Sequence, residues 1–172
     1  MRRTSLLLII AFVVTLFGLI ALSLFLVPQD TNPAFAQAVA FTRVVLRGEE
    51  DAAVAYLSPE LAAYGVANCP DGRVTACIDG YIPDEWGGLV DVVYRRSVPQ
   101  DSGRAWDIQT IATFERGQGF SGVCIYLRAE NPTPSQADGW VITRWAGWVS
   151  CDVGNKGLDD LRTNPDAPNH AP

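Results

Sequence analysis

The first thirty residues read MRRTSLLLIIAFVVTLFGLIALSLFLVPQD, with no charge between Arg3 and Asp30. The almost wholly apolar run from Ser5 to Val27, at ~1.5 Å per helical residue, is long enough to cross a hydrocarbon core ~30 Å thick. Such a run cannot share a small water-soluble core, so the folded part must be built after it. Arg2 and Arg3 precede it and no Lys or Arg follows until Arg43. The positive-inside rule therefore keeps the short N-terminus in the cytoplasm and sends the rest outside. This predicts a single-pass protein of the cell membrane: a cytoplasmic N-terminus at 1–4, a transmembrane signal anchor in the lipid bilayer at 5–27 and a linker at 28–32. An extracytoplasmic α+β domain is expected at 33–153, and a disordered tail rich in Pro, Asn and Asp at 154–172. Cleavage is the competing reading, because Ala34, Phe35 and Ala36 form an A-x-A-like site that would release a product beginning at Gln37. A signal peptide's apolar core is ~7 to 15 residues, shorter than this run, which favours the anchor.

With Arg2 and Arg3 set aside, 11 basic residues face 19 acidic ones, a net charge of −8. A phosphate-backbone binder needs the opposite field, so nucleic acid is excluded as a partner. The acidic surface is also repelled by anionic headgroups, which leaves attachment to the anchor. The one histidine, His170, lies two residues from the end. That position argues against a Ser-His-Asp or Cys-His system and against a histidine zinc centre. Asp71, Asp79, Asp84 and Glu85 lack the ligand spacing of an EF-hand loop and read as a solvated acidic loop. No metal or cofactor is expected.

Helical punctuation follows Asn32 in NPAFAQAVAFTRVVLRGEEDAAVAYLSPELAAYG. Asn32 can cap a helix that has Pro33 at its first position, where the missing N–H costs nothing. Phe35, Val39, Val45 and Leu46, with Ala38 and Phe41 or Thr42 between, mark its apolar face, and Arg47 and Gly48 close it. Glu49, Glu50 and Asp51 open a second short helix at its positive end. Ser58 with Pro59 and Glu60 starts a third, expected to end near Gly65. After the stretch ANCPDGRVTACIDG the apolar period changes to two. Strands are expected at Leu89–Val98, Arg104–Arg116, Phe120–Glu130 and Trp140–Val149, separated by turn-forming PQDSG, GQG and NPTPSQADG. The fold class is α+β, with a helical layer on a four-stranded antiparallel meander.

Cross-strand charge suggests a register with Val98 opposite Arg104, which pairs Arg95 with Asp107 and places Tyr94 opposite Ile108. One face then carries Val90, Val92, Tyr94, Trp106, Ile108, Ala112 and Phe114. If Arg116 faces Phe120, that face continues through Cys124, Tyr126 and Arg128. Val123, Ile125 and Leu127 are then left on the outer face, where a second subunit or another part of the chain would cover them. A one-residue slip turns those three inward instead, and both registers stay open.

The long first helix, the acidic elbow and the YLSPEL segment within AFAQAVAFTRVVLRGEEDAAVAYLSPEL, followed by four strands in this order, resemble the nuclear transport factor 2-like superfamily of cystatin-like folds. The resemblance covers roughly Asn32 to Cys151. It implies a curved sheet wrapped around the first helix as a cone, with a pocket at its open end and a homodimer or other protein partner through the sheet. Ketosteroid isomerase and dehydratases belong to that superfamily, as do many non-catalytic binding modules. None of its catalytic residues is matched in this chain.

The ligand-pocket candidates are Tyr94, Arg96, Trp106, Thr110, Tyr126 and Arg128, a polar and aromatic group assigned to the inner face. An inward arginine needs an anionic partner, since burying it alone is costly. The bland alternative is that the arginines reach solvent near strand ends and the aromatics are core; Asp91 and Asp107 would then sit on the solvated face. Trp86, Trp106, Trp140, Trp145 and Trp148 read as core before ligand platform. Four cysteines in an exported chain read as two disulfides. Cys69 and Cys77 pair first across the PDG turn, and Cys124 and Cys151 follow by elimination, although Cys151 must then double back; the other two connectivities stay open. The spacing of Cys69 and Cys77 is not that of a C-x-x-C thiol oxidoreductase. The expected function is a non-catalytic, membrane-anchored binding or assembly module, with an isomerase- or dehydratase-like enzyme using Asp107, Tyr94 or Tyr126 as the alternative.

Overall fold

The computed structural model describes residues 12–18, 32–79, 82–116, 122–133 and 139–146. The chain divides into two units, Met1–Thr31 and Asn32–Pro172. In the first, residues 12–18 are helical (α1) and exposed. Among the described residues no helix is long and apolar enough to cross a membrane. Most of the 5–27 span expected from the sequence, and the tail at 154–172, lie outside the described residues.

The second unit begins with the helix Pro33–Leu46 (α2), started as its sequence directs: the Asn32 side chain accepts from Ala34 N, with Pro33 at the first position. Ala34, Ala38, Phe41, Thr42 and Val45 form its buried face, and Gly48 at φ +72 ends it in the left-handed region that glycine adopts without penalty. The short helix Glu50–Val54 (α3) follows, then Pro59–Asn68 (α4), whose cap Ser58 accepts from Leu61 N. Helix α4 continues past Gly65, where the sequence suggested its end. A side chain there would bring its Cβ to 2.5 Å from Val74 Cγ2. Gly65 is thus an interior position that lets another element come close.

That element is Val74–Asp79 (α5), a helix inside what read as a polar loop. The Cys69–Cys77 disulfide joins the end of α4 to α5, with the two Cα atoms 5.1 Å apart. Glu50 of α3 caps α5 across 24 residues: Val74 N donates to Oε1 at 2.8 Å, and Thr75 N and Oγ1 donate to Oε2 at 2.9 and 2.6 Å.

Four strands, Leu89–Gln100 (β1), Ala105–Phe114 (β2), Gly122–Glu130 (β3) and Val141–Ala146 (β4), form an antiparallel sheet in sequence order. The β1–β2 register differs from the charge-based expectation. Tyr94 faces Thr110 and Val98 faces Asp107, with a bulge at Arg95 between Tyr94 and Arg96. Between β2 and β3 the one-residue slip is realised: Thr110 faces Ile125 and Ile108 faces Leu127. Ile125 and Leu127 therefore point to the helices, and Cys124, Tyr126 and Arg128 lie on the opposite face. Burial favours this register, because the alternative would put two large apolar side chains outside, and the slip also sets Asp107 opposite Arg128.

The helices pack on one face. Phe35 of α2 stacks on Tyr94 at 4.6 Å and meets Trp106 edge-on at 5.2 Å, while Thr42 Oγ1 lies 3.1 Å from Thr110 Oγ1. Tyr64 of α4 packs on Trp145, and Trp86 on Phe114. These contacts place Trp86, Trp106 and Trp145 in or against the core; Trp148 lies outside the described residues. Val90, expected inside, is 62% exposed. The free edge of β4 is bridged by the connector before α4, where Ile142 N donates to Tyr56 O and Ser58 N to Ile142 O.

Candidate functional site

The sheet face opposite the helices carries an unusual polar set, built row by row from the register. One row runs Val98, Asp107, Arg128, Arg144; the next runs Arg96, Gln109, Tyr126, Ala146; a third brings Val93, Ile111 and Cys124 together. Period-two alternation puts Asp107, Gln109 and Ile111 of β2 on the same side as Cys124, Tyr126 and Arg128 of β3. The bulge makes Arg95 an extra residue opposite Gln109, so both adjacent arginines reach this face. Arg96 Nη2 donates to the Tyr126 hydroxyl at 3.0 Å, and Arg95 Nη1 lies 3.9 Å from Cys124 Sγ.

Asp107 and Arg128 form the centre of the first row. Nε of Arg128 donates to Oδ1 at 2.6 Å and Nη2 to Oδ2 at 2.9 Å, and Gln100 Nε2 adds a bond to Oδ2 at 3.0 Å. Asp107 is 4% exposed, not on the solvated face, and Arg128, a candidate for the inner pocket, is 8% exposed on the other face; across the sheet Asp107 stands opposite Arg128 and Val98, not opposite Arg95. Gln109 is 1% exposed, and among the described residues neither Oε1 nor Nε2 has a hydrogen-bond partner. An unpaired buried amide of this kind costs about 1–3 kcal/mol and calls for a functional or structural reason.

The six pocket candidates therefore do not form one group. Tyr94, Trp106 and Thr110 face the helices, and the Tyr94 hydroxyl bonds to Ser97. Arg96, Tyr126 and Arg128 share the other face with Asp107 and Gln109. Gln109 was missed from the sequence, although the polar alternation Asp107, Gln109 in WDIQTIATF marks both for one side. Asp91 is exposed and paired with Arg43 at 3.1 Å.

Elsewhere, a cleft of about 260 Å³ is lined by Pro33, Ala36, Gln37, Ala40, Tyr56 and Trp140. A second, of about 240 Å³, lies beside α5 near Arg47, Arg73, Thr75 and Asp79. Neither reaches Tyr94, Tyr126 or Asp107. Among the described residues no group of three or more His, Cys, Asp or Glu could hold a metal ion. His170 lies outside them. Burial raises the Glu50 carboxyl, but the bonds from Thr75 and Val74, with Arg73 nearby, outweigh this and hold it below its ordinary value. Cys124 is disulfide-bonded, and Cys151 lies outside the described residues. No protein-family model matches the chain, and neither a curated protein nor a solved structure does.

Proposed function

We propose that the chain is a membrane-anchored, extracytoplasmic binding or assembly module of the nuclear transport factor 2-like type, acting without catalysis. The apolar run behind Arg2 and Arg3 supports the anchor, and the disulfides suit an oxidising exterior. Helices followed by a four-stranded antiparallel meander are consistent with that superfamily's cone.

The observation that carries the binding reading is Gln109. Its buried amide can accept from one group and donate to another, and it is framed by Arg96, Tyr126 and the Asp107–Arg128 fork. A partner's amide or carboxylate approaching from the exposed Arg95 side meets donors first and the Gln109 amide behind them. The same geometry weighs against the isomerase-like alternative, because a general base must be available to a substrate proton. Asp107 instead accepts from Arg128 and Gln100, and Tyr94 sits on the other face from Tyr126.

The test uses the full-length protein in intact cells. Lys156 is the chain's one lysine. A membrane-impermeant amine reagent is expected to label it from outside; labelling only after lysis overturns the topology. A photoreactive residue in place of Arg95 is expected to give a discrete crosslinked adduct, and its absence overturns the binding reading. Turnover of a small carbonyl or steroid-like substrate by the purified protein overturns the non-catalytic part.

A further inference from the structure

We propose that the free edge of β1 is a homodimer surface, where residues 91–94 pair antiparallel with the same residues of a second copy about a twofold axis at Val93. The first observation is which main-chain groups face outward. Val92 N donates to Asp91 Oδ1 and Val92 O accepts from Arg43 Nη2, so both point away from β2. Alternation gives Tyr94 the same direction. Bulges at Val90 and Arg95 bound this stretch, and Pro99 further on has no N–H to give, so a pairing strand is held to 91–94.

The second observation is that the stretch is complementary to itself. Outward-facing residues pair only with outward-facing residues, which leaves three twofold registers: Val92 on Val92, Val92 on Tyr94, or Tyr94 on Tyr94. The middle one alone sets Asp91 of each copy opposite Arg95 of the other, with Val93 opposite Val93 between the two charge pairs. The first sets Asp91 opposite Val93, and the third sets Val93 opposite Arg95. Val93 is 46% exposed and Tyr94 40%, so the pairing also covers apolar surface that is open in one chain.

The Arg43–Asp91 ion pair stands in the way of this pairing and sets its strength. It must open before Val92 can bond to a second strand, and Asp91 then exchanges Arg43 for Arg95 of the other copy. An ion pair whose side chains are 38% and 57% exposed is worth little, so the about four main-chain bonds made across the axis outweigh it. The exchanged charges fix the register more than they add affinity. The result is a reversible dimer in which one antiparallel sheet runs through both copies, with a β4 at either end.

Val93→Cys in the full-length protein is expected to form a covalent dimer on mild oxidation. Residues facing each other in a non-hydrogen-bonded pair have Cα atoms ~4.5 Å apart, within the ~4.4–6.8 Å span of a disulfide. Val90→Cys is the control: Val90 is more exposed, at 62%, but stands opposite Arg96, which leaves the two copies of position 90 roughly 20 Å apart. Peptide mapping should recover the two position-93 peptides joined to each other, which tells a second copy from any other partner and decides the proposal apart from the Gln109 reading. Adding Asp91→Lys sets like charges opposite Arg95 and should lower the dimer yield about tenfold relative to Asp91→Lys with Arg95→Glu, which lacks the same ion pair but restores opposite charges. Absence of the position-93 dimer, equal yields from the two cysteine variants, or equal yields from the two charge variants overturns the proposal. Sedimentation of the unaltered protein should show a dimer that dissociates on dilution, and a monomer at every concentration overturns the proposal without any variant.

Discussion

Glu50 does the work of a helix cap from another helix. Its two oxygens take the Val74 and Thr75 N–H groups, which have no partner inside α5, and so tie α3 to the disulfide-linked α4–α5 pair. Glu50→Gln keeps the shape and removes the charge, and should cost about 1–2 kcal/mol at pH 7 in denaturant unfolding. Because the folded carboxyl lies below its unfolded value of 4.5, its stabilisation is present above that value and lost as pH falls through the lower folded one. The gap between wild type and Glu50→Gln should therefore narrow on acidification below about pH 4.5. Nothing local marks Glu50 for this role: as one of three acidic residues at a helix start it reads as a dipole partner, and the contact to α5 is made only by the fold. Asp107 shows the same limit, since its partner depends on register. Removing one member of the buried pair, as in Arg128→Ala, should cost about 3–5 kcal/mol. The double change Asp107→Leu with Arg128→Met should be near neutral or stabilising, and denaturant midpoints separate the two cases.

Elements were legible where a residue type has a single local use. Asn32 and Ser58 as caps, Pro33 and Pro59 at first positions, and Gly48 after α2 all act as their chemistry dictates. Gly65 was misread because an interior glycine and a terminal one look alike in sequence, and only the approach of Val74 distinguishes them. Gly65→Ala should cost about 1–3 kcal/mol through overpacking against α5, although alanine is the better helix former; thermal unfolding decides the sign. The sheet edges were not visible in the sequence either. Main-chain bonds from 56–58 occupy the β4 edge, whereas among the described residues β1 is covered by a side-chain clip alone. Val92 N donates to Asp91 Oδ1, and Val92 O accepts from Arg43 Nη2. This ion pair is exposed and worth little as such, but it occupies the groups that a second strand would use. The double change Asp91→Ala with Arg43→Ala should free both main-chain groups of Val92 for pairing and tighten self-association roughly 30-fold, measurable by sedimentation.

For the molecule as a whole, the change of apolar period after the cysteines was enough to give α+β and the strand order, because alternation over four segments admits few other solutions. Register was not recoverable in the same way: a one-residue slip preserves every local preference and is decided only by which side chains the helices cover. The division of the chain at Thr31/Asn32 gives the last prediction its form, since changes in the first unit need not disturb the second. Val14 and Phe17 lie in the apolar run, and an arginine near the centre of a spanning helix costs about 2.5–3.5 kcal/mol by insertion scales. With the run as the proposed anchor, the wild type is expected in the carbonate-resistant membrane fraction, and the double variant Val14→Arg with Phe17→Arg, losing about 5–7 kcal/mol of insertion free energy, in the soluble one. Thermal unfolding of the second unit should stay within about 0.5 kcal/mol of wild type, as for a change remote from its packing. Retention in the membrane would mean that something other than this run holds the protein there, and a matching loss of stability would mean that the run is part of the fold.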